Sequence, residues 1–254
     1  MRDNRMIGTG SLHVAPLEGK VVLVTGAAGV IGKALVTAIK QAGGTPVGAD
    51  LSPGPDKDLA LDVTSEADWQ RIVAHIERAH GHLDGLANAA GVLDVGSIEN
   101  TDYASWQRVV SVNLGGTFLG CKYAFPLLRK RGGSIVNFSS VFGLAGNAHL
   151  AAYSASKGGV CLLSKSVALH GARCRPPVRC NAVCPAFIEG AMVEEFVGST
   201  PYADIVRRKL AADIPLGRLG RPEETAALSV FLLSDAAAFI TGADLPVDGA
   251  MTAR

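Results

Sequence analysis

The sequence lacks the features that would point to a membrane, a nucleic acid or a metal. Its 254 residues contain no run of about 18 apolar residues, the length that a membrane-spanning helix needs. Lysine and arginine number 24 against 23 acidic residues, so no basic excess favours nucleic acid as a partner. The five cysteines form no Cys-x-x-Cys pair and the six histidines are scattered, so we expect reduced thiols and no metal site. A small molecule is therefore the expected ligand.

Residues 1–16 differ from the rest of the chain. They carry Arg2, Asp3 and Arg5 among several turn formers, without the apolar core of a signal peptide. We expect a flexible N-terminal arm on a cytoplasmic protein. The length of the chain and its apolar content of 48% fit one large domain, which we place at residues 17–254.

Strand and helix patterns alternate from residue 20 to the end. The run KVVLVT at 20–25 is continuous and β-branched, which is typical of a parallel strand buried on both faces. Further strands are predicted at 45–50, 59–63, 83–87, 133–138, 178–183 and 243–247, and helices at 30–42, 66–79, 103–131, 151–172 and 223–233. This alternation predicts an α/β fold with a doubly wound, Rossmann-type parallel sheet of about seven strands and helices on both faces.

A glycine-rich turn separates the first strand from the first helix. Gly26 permits the tight turn, Gly29 lets the backbone approach a pyrophosphate, and Gly32 lets helix and strand pack closely. The start of the helix, including Val30 and Ile31, supplies free N–H groups and a partial positive charge for phosphates. The placement of the turn between an apolar strand and an amphipathic helix predicts a dinucleotide site.

Asp50 ends the second strand, eighteen residues after Gly32. A carboxylate there accepts hydrogen bonds from the adenosine ribose hydroxyls and repels a 2′-phosphate. At 4 Å the repulsion is ~1 kcal/mol in water and ~4 kcal/mol at an effective dielectric of 20. We therefore expect NAD as the cofactor in preference to NADP. Asp62 and Val63, which follow the third strand, are predicted to flank the adenine.

Tyr153 and Lys157 stand four residues apart on a predicted helix and so share one face. A free phenol titrates near pH ~10, and a lysine cation within a few Å can lower that pKa by ~1–3 units. The pair therefore predicts a general acid/base, with Ser140 thirteen residues upstream of the tyrosine. Tyr-x-x-x-Lys is common by chance, and it gains specificity from the cofactor site earlier in the chain.

Together these motifs resemble the short-chain dehydrogenase/reductase family over residues 17–252. In chain order the matching segments are 25–32, 88–91 with Asn113, 139–140, 153–157, 180–185, 215–224 and 240–249. The resemblance implies that Tyr153 is the acid/base, that Lys157 lowers its pKa and holds the nicotinamide ribose, and that Ser140 binds the same substrate oxygen. It further implies that Asn113 holds a water linking Lys157 to solvent.

The resemblance also implies cofactor contacts beyond the glycine turn. These positions are Asn88, Ala89, Gly91, Tyr153, Lys157, Pro185, Ala186, Phe187 and Ile188. The chain departs from the commonest family pattern at Val30, Ala89, Ala186 and Gly190, where glycine, asparagine, glycine and threonine are frequent. The spacing Gly26-x-x-Gly29-x-x-Gly32 is similar to that of a branch with larger subunits, which includes sugar-nucleotide epimerases.

The substrate is expected beyond the carboxyl ends of the strands. The candidate contacts are Ser140, Phe142, His149, Tyr153, Phe187 and Met192. This lining is mostly apolar and shows no arginine or lysine, which favours a neutral secondary alcohol or ketone, with cyclic and steroid-like compounds among the candidates. Residues 187–212 are predicted to form a mobile lid.

The predicted helix at 151–172 is apolar on several faces at 160–163, so one face is expected to meet another subunit. The resemblance implies a homotetramer or a dimer. The leading functional hypothesis is an NAD(H)-dependent oxidoreductase. Two alternatives stay open, namely an NAD-retaining epimerase or dehydratase of sugar derivatives and a non-catalytic NAD-binding regulator.

Overall fold

The computed structural model describes residues 17–52, 59–198 and 202–253. The predicted N-terminal arm at 1–16 lies outside the described residues, as do 199–201 of the predicted lid.

The described strands form one parallel sheet, which confirms the predicted doubly wound architecture. Its spatial order is β3-β2-β1-β4-β5-β6-β7. The strands are β1 (Val21–Thr25), β2 (Thr45–Asp50), β3 (Leu59–Ala60), β4 (Gly85–Asn88), β5 (Gly133–Phe138), β6 (Val178–Pro185) and β7 (Asp244–Val247). Strand β3 is shorter than predicted because the chain turns at Asp62, whose carboxylate accepts from the backbone and hydroxyl of Thr64.

Helices cover both faces of the sheet. They are α1 (Val30–Gln41), α2 (Glu66–His80), α3 (Tyr103–Val110), α4 (Gly116–Leu128), α5 (Ala151–Gly171), α6 (Ala191–Val197), α7 (Ala203–Ala212) and α8 (Pro222–Leu233). The helix predicted at 103–131 is divided by a π-helical turn at Ser111–Gly115 and ends at residue 128, two residues after Pro126.

The core is divided by the sheet into two apolar layers. All five residues of β1 are buried. Val21 and Leu23 pack with α2 and α4, whereas Val22 and Val24 pack with α1 and α8. A strand with both faces covered must be apolar at every position, which explains the continuous β-branched run.

The order of the strands places the functional site. Successive strands are added outward from β1 towards β3 on one side and from β4 towards β7 on the other. The connections that follow β1 and β4 therefore lead towards opposite edges of the sheet. Between these two neighbouring strands, Thr25 and Asn88 lie side by side at the carboxyl ends. Ligands of open parallel sheets bind at such a switch point. No described helix is both long and apolar enough to cross a membrane.

Candidate active site

A cleft with a volume of about 660 Å³ lies over the carboxyl ends of the central strands. It brings together segments that are far apart in sequence, from the glycine turn to the start of the predicted lid. The predicted cofactor residues in its lining are Gly26, Gly29, Val30, Ile31, Gly32, Asp50, Asp62, Val63, Ala89, Gly91, Tyr153, Lys157, Pro185, Ala186, Phe187 and Ile188. Asn88 is the one predicted cofactor residue that the structure places elsewhere.

The glycine turn is packed too tightly for side chains at two positions. A Cβ on Gly32 would lie 2.0 Å from the Gly26 carbonyl oxygen. A Cβ on Gly26 would lie 2.7 Å from the backbone nitrogen of Ala90, and Gly26 has a left-handed φ of 65°. The turn is therefore held against both its own helix and the segment after β4.

The start of α1 suits an anion. Gly29 is its N-cap, no side chain caps it, and its first turn carries no acidic residue. Backbone N–H groups at an uncapped helix N-terminus attract phosphate. The close-packed glycines and this open terminus together fit the diphosphate of a dinucleotide.

Asp50 connects the second strand to the glycine turn. Its carboxylate accepts a hydrogen bond from the backbone nitrogen of Ala28 at 3.0 Å and from that of Ser52 at 3.3 Å. It lies in the cleft lining at the same end as Asp62 and Val63. Within the described residues, this end of the cleft has no arginine or lysine in its lining.

Asn88 lies in the core beneath the cleft. Its amide nitrogen donates to the Asn137 side-chain oxygen at 2.9 Å. A Cβ on Gly120 would lie 2.3 Å from the Asn88 side-chain oxygen, so helix α4 passes directly over this amide. The side chain ties β4 to β5 and α4 instead of facing a ligand.

Ser140 and Tyr153 meet in the cleft. Ser140 follows β5, and its hydroxyl accepts from the backbone nitrogen of Phe142 at 3.2 Å. It also hydrogen-bonds the Tyr153 side chain. Both side chains are buried, with exposures of 6% and 8%. Two hydroxyl groups therefore converge on one point of the cleft, as a single substrate oxygen requires.

Lys157 lies one turn further along α5 and is buried. Its ammonium donates to the Phe138 carbonyl at 2.8 Å and lies 5.6 Å from the centroid of the Tyr153 ring. Burial lowers the pKa of Lys157 to about 8, and the nearby Cys184 and Cys161, in their ionised forms, oppose this shift in part.

The expectation of a lowered pKa for Tyr153 is wrong in this structure. Burial raises the pKa of Tyr153 to about 12, and the hydrogen bond with Ser140 offsets only part of that rise. The ammonium of Lys157 donates to the carbonyl of Phe138, and burial of the phenol is the main cause of the rise in the pKa of Tyr153. At neutral pH Tyr153 holds its proton and is a donor.

Asn113 lies in the π-helical turn and does not line the cleft. Its side chain accepts from the backbone nitrogen of Val92 at 2.8 Å and donates to the Val92 carbonyl at 3.0 Å and to the Ser156 hydroxyl at 3.1 Å. The Asn113 carbonyl accepts from the Thr117 hydroxyl at 2.7 Å. Asn113 therefore fixes the segment after β4 against α5 and is a positioning residue here.

The substrate end of the cleft is largely apolar. Phe142 and Phe187 pack edge to face with centroids 5.6 Å apart, which joins the segment after β5 to the start of the lid. Met192 also lines the cleft, whereas His149 is exposed outside it and the adjacent Leu150 takes the inner position.

Arg108 is a residue of the cleft that the sequence did not reveal. It projects from α3 and approaches the Leu93 carbonyl and the Asp94 carboxylate at 3.5 Å each. The predicted absence of arginine or lysine at the substrate end is therefore wrong. The signal that would find it is the helical spacing from Asn113, five residues away across the π-helical turn.

Comparisons with known proteins agree with this geometry. A family model described as Enoyl-(Acyl carrier protein) reductase matches residues 26–252. The chain is 38% identical over 254 residues to 2-(S)-hydroxypropyl-CoM dehydrogenase 3 of Xanthobacter autotrophicus, with 93% of this chain and 98% of that protein covered. It is 33% identical to the NADP-dependent (R)-specific alcohol dehydrogenase of Lentilactobacillus kefiri, with 94% and 98% covered.

A solved structure shares the whole fold. The ligand-free aldohexose dehydrogenase of Thermoplasma acidophilum matches with a TM-score of 0.88 at 36% identity, covering 94% of this chain and 96% of that one. With the ordered motifs and the family-model match, this places the chain in the short-chain dehydrogenase/reductase family.

Proposed function

We propose that the protein is an NAD(H)-dependent oxidoreductase that interconverts a secondary alcohol and a ketone on a largely apolar substrate. Its family makes it an oxidoreductase of alcohol and carbonyl groups that uses a nicotinamide cofactor. The observation that carries the proposal is the convergence of Ser140, Tyr153 and Lys157 in the same cleft as the glycine turn.

The side chains divide the work at the reacting carbon. The bound nicotinamide supplies or accepts the hydride. In reduction, Tyr153 gives its phenolic proton to the carbonyl oxygen, which Ser140 holds by a second hydrogen bond. In oxidation, Tyr153 takes that proton back, and the positive charge of Lys157 stabilises the phenolate. The raised pKa of Tyr153 keeps the phenol protonated at neutral pH, which is the form that can donate to a carbonyl oxygen.

The choice of NAD rests on Asp50. A 2′-phosphate beside this carboxylate would be repelled by ~1–4 kcal/mol, or roughly fivefold to a thousandfold in affinity. The relative from Lentilactobacillus kefiri is named NADP-dependent, so membership of the family leaves the cofactor open. The carboxylate therefore supplies the discrimination in this chain.

The apolar lining favours a neutral, compact or cyclic substrate. Four apolar side chains line the cleft near the hydroxyl groups of Ser140 and Tyr153, namely those of Phe142, Leu150, Phe187 and Met192. Arg108 at the rim is 3.5 Å from Asp94, so a carboxylate already lies beside its charge.

The test combines a substrate panel with a matched pair of tyrosine variants. Alcohols and ketones, including cyclic alcohols, steroids and sugar derivatives, are screened with NAD(H) and NADP(H) by nicotinamide absorbance. Tyr153→Phe should lower kcat by at least ~10²-fold while NADH binds as in the wild type. The exposed Tyr103 provides the control, and Tyr103→Phe should change neither.

Two results would contradict the proposal. Full activity of Tyr153→Phe would remove the phenol from the mechanism. Product formation without any net change of nicotinamide absorbance would favour an epimerase or dehydratase instead.

A further inference from the structure

Val30 and Gly190 lie in contact across the cleft, although 160 residues separate them. A Cβ on Gly190 would lie 2.5 Å from Val30 Cγ2 and 2.9 Å from Val30 Cγ1. Carbon atoms of packed side chains lie ≈ 3.5–4.0 Å apart. The isopropyl group of Val30 therefore occupies the space that a side chain at position 190 would need.

Gly190 stands where a fixed segment passes into the predicted lid. The segment before it is held to the body, because the backbone nitrogen of Glu189 donates to the Gly220 carbonyl and that of Gly220 donates to the Phe187 carbonyl, each at 2.9 Å. After it, α6 contributes Val193 to an apolar cluster with α7. Gly190 itself has a φ of 139°, which only glycine adopts readily.

Val30 stands at the matching place on the other wall. It is the first residue of α1, directly after the N-cap Gly29, and 36% of its surface is exposed. Its side chain thus projects from the proposed phosphate site towards the lid. No other residue comes as close to the Cβ position of Gly190, since the three nearest atoms in the described chain all belong to Val30.

We propose that Val30 and Gly190 form a steric pair that seats the lid on the glycine turn and thereby sets the affinity for the nicotinamide cofactor. The proposal rests on the cofactor site of the proposed function. It makes both residues positioning residues, because neither carries a group that can take part in the chemistry. Val30 leaves no room for a side chain at position 190, and a side chain at position 190 would require a smaller residue at position 30.

A double-mutant cycle measures this dependence. The variants are Gly190→Ala, Val30→Ala and the double variant, and the readout is the Kd of NADH from its fluorescence on binding. We expect Gly190→Ala to raise the Kd at least tenfold. In the Val30→Ala background the same change should raise it less than threefold, because the clash with the Val30 methyl groups is gone.

Gly198 provides a control for backbone strain. Its φ is 71°, and a Cβ there would meet no atom of the described residues within 4 Å. Gly198→Ala therefore strains the same lid without a clash, and we expect its Kd to stay within threefold of the wild type. A rise equal to that of Gly190→Ala would overturn the proposal, because strain alone would then account for the effect.

A second measurement does not need the cofactor. Arg208 and Lys209 are exposed on α7. If Val30 seats the lid, Val30→Ala should speed tryptic cleavage after these residues severalfold, followed by mass spectrometry. This variant leaves the strained glycine unchanged, so it is expected to fold even where Gly190→Ala does not.

The outcomes separate the two proposals. Unchanged cleavage in Val30→Ala, or equal effects of Gly190→Ala in both backgrounds, would overturn the steric pair. A wild-type protein that binds neither NADH nor NADPH would defeat the proposed function, while the cleavage experiment would still test the pair.

Discussion

Replacing Lys157 by methionine should stabilise the protein without its cofactor while abolishing its activity. Lys157 is 4% exposed, and burial lowers its pKa from 10.5 to about 8. That depression of roughly 2.5 units corresponds to about 3 kcal/mol of unfavourable free energy for burying the charged form. Methionine is apolar and flexible enough to fill the same space.

The lost hydrogen bond offsets part of this gain. The Phe138 carbonyl would lose the donor that now lies 2.8 Å away, which costs about 1 kcal/mol. The net expectation at pH 7 is a gain of about 2 kcal/mol in the free energy of unfolding. For a chain of this size, that corresponds to a rise in Tm of roughly 4–8 °C.

The pH dependence gives the prediction its sign. Below pH 8 the lysine is charged in both the folded and the unfolded chain, so the wild type bears the full cost. Between pH 8 and 10.5 the folded chain releases its proton first, and the wild type recovers that stability as the pH rises. The advantage of the methionine variant should therefore be largest at pH 7 and vanish near pH 10.5.

Urea unfolding at fixed protein concentration, at pH 7 and pH 10.5, measures both effects. The exposed Lys40 in the last turn of α1 provides the control, and Lys40→Met should change stability by less than ~0.5 kcal/mol. A methionine variant at Lys157 that is less stable than the wild type at pH 7, or a gain that is equal at both pH values, would refute the reasoning.

Four further predictions follow from the site and the surface. Asp50→Asn keeps an acceptor for the Ala28 backbone nitrogen but removes the charge. The ratio of kcat/KM with NAD to kcat/KM with NADP should therefore fall about tenfold. An unchanged ratio would show that Asp50 does not select the cofactor. Gly32→Ala should abolish NADH binding in titrations, because its Cβ would lie 2.0 Å from the Gly26 carbonyl oxygen, and normal binding would show that the turn can yield. Alcohol oxidation should accelerate with pH from 6 to 8, since the pKa of Tyr153 is about 12, the phenolate is the base, and Lys157 with its pKa of about 8 keeps its charge in this range; a flat rate profile would speak against that base. Leu162 on α5 is 68% exposed, so Leu162→Asp should reduce the particle mass in light scattering if the expected dimer or tetramer uses this face, and a wild type of 26 kDa would argue against any such assembly.

The sequence was sufficient for the fold and for the chemistry that depends on local spacing. The β-branched run of β1 and the i, i+4 relation of Tyr153 and Lys157 are both set by neighbours in the chain. The glycine turn could also be predicted from the sequence, since its close packing follows from the strand before it and the helix after it.

The features that the sequence did not predict depend on contacts between segments that are distant in the chain. Burial of Tyr153 results from Leu93, Val109 and Leu150 packing around it, so the direction of its pKa could not be predicted from Lys157 alone. The position of Arg108 in the cleft depends on how α3, which precedes the π-helical turn, packs over the segment that contains Leu93 and Asp94.

That turn has a consequence for how the gene can change. A π-helical turn holds one residue more than the α-helical turn it replaces, so Ser111–Gly115 behaves as an insertion within an otherwise continuous helix of 26 residues. Deleting a single codon there would restore regular α-helical winding while the flanking segments α3 and α4 kept nearly their present register, because the wide turn already absorbs the extra residue. The side chain of Asn113, inside the turn, would then leave its present direction and lose its hydrogen bonds to Val92 and Ser156. Substitutions can tune this helix one side chain at a time, whereas its length is locked to the shape of the cleft.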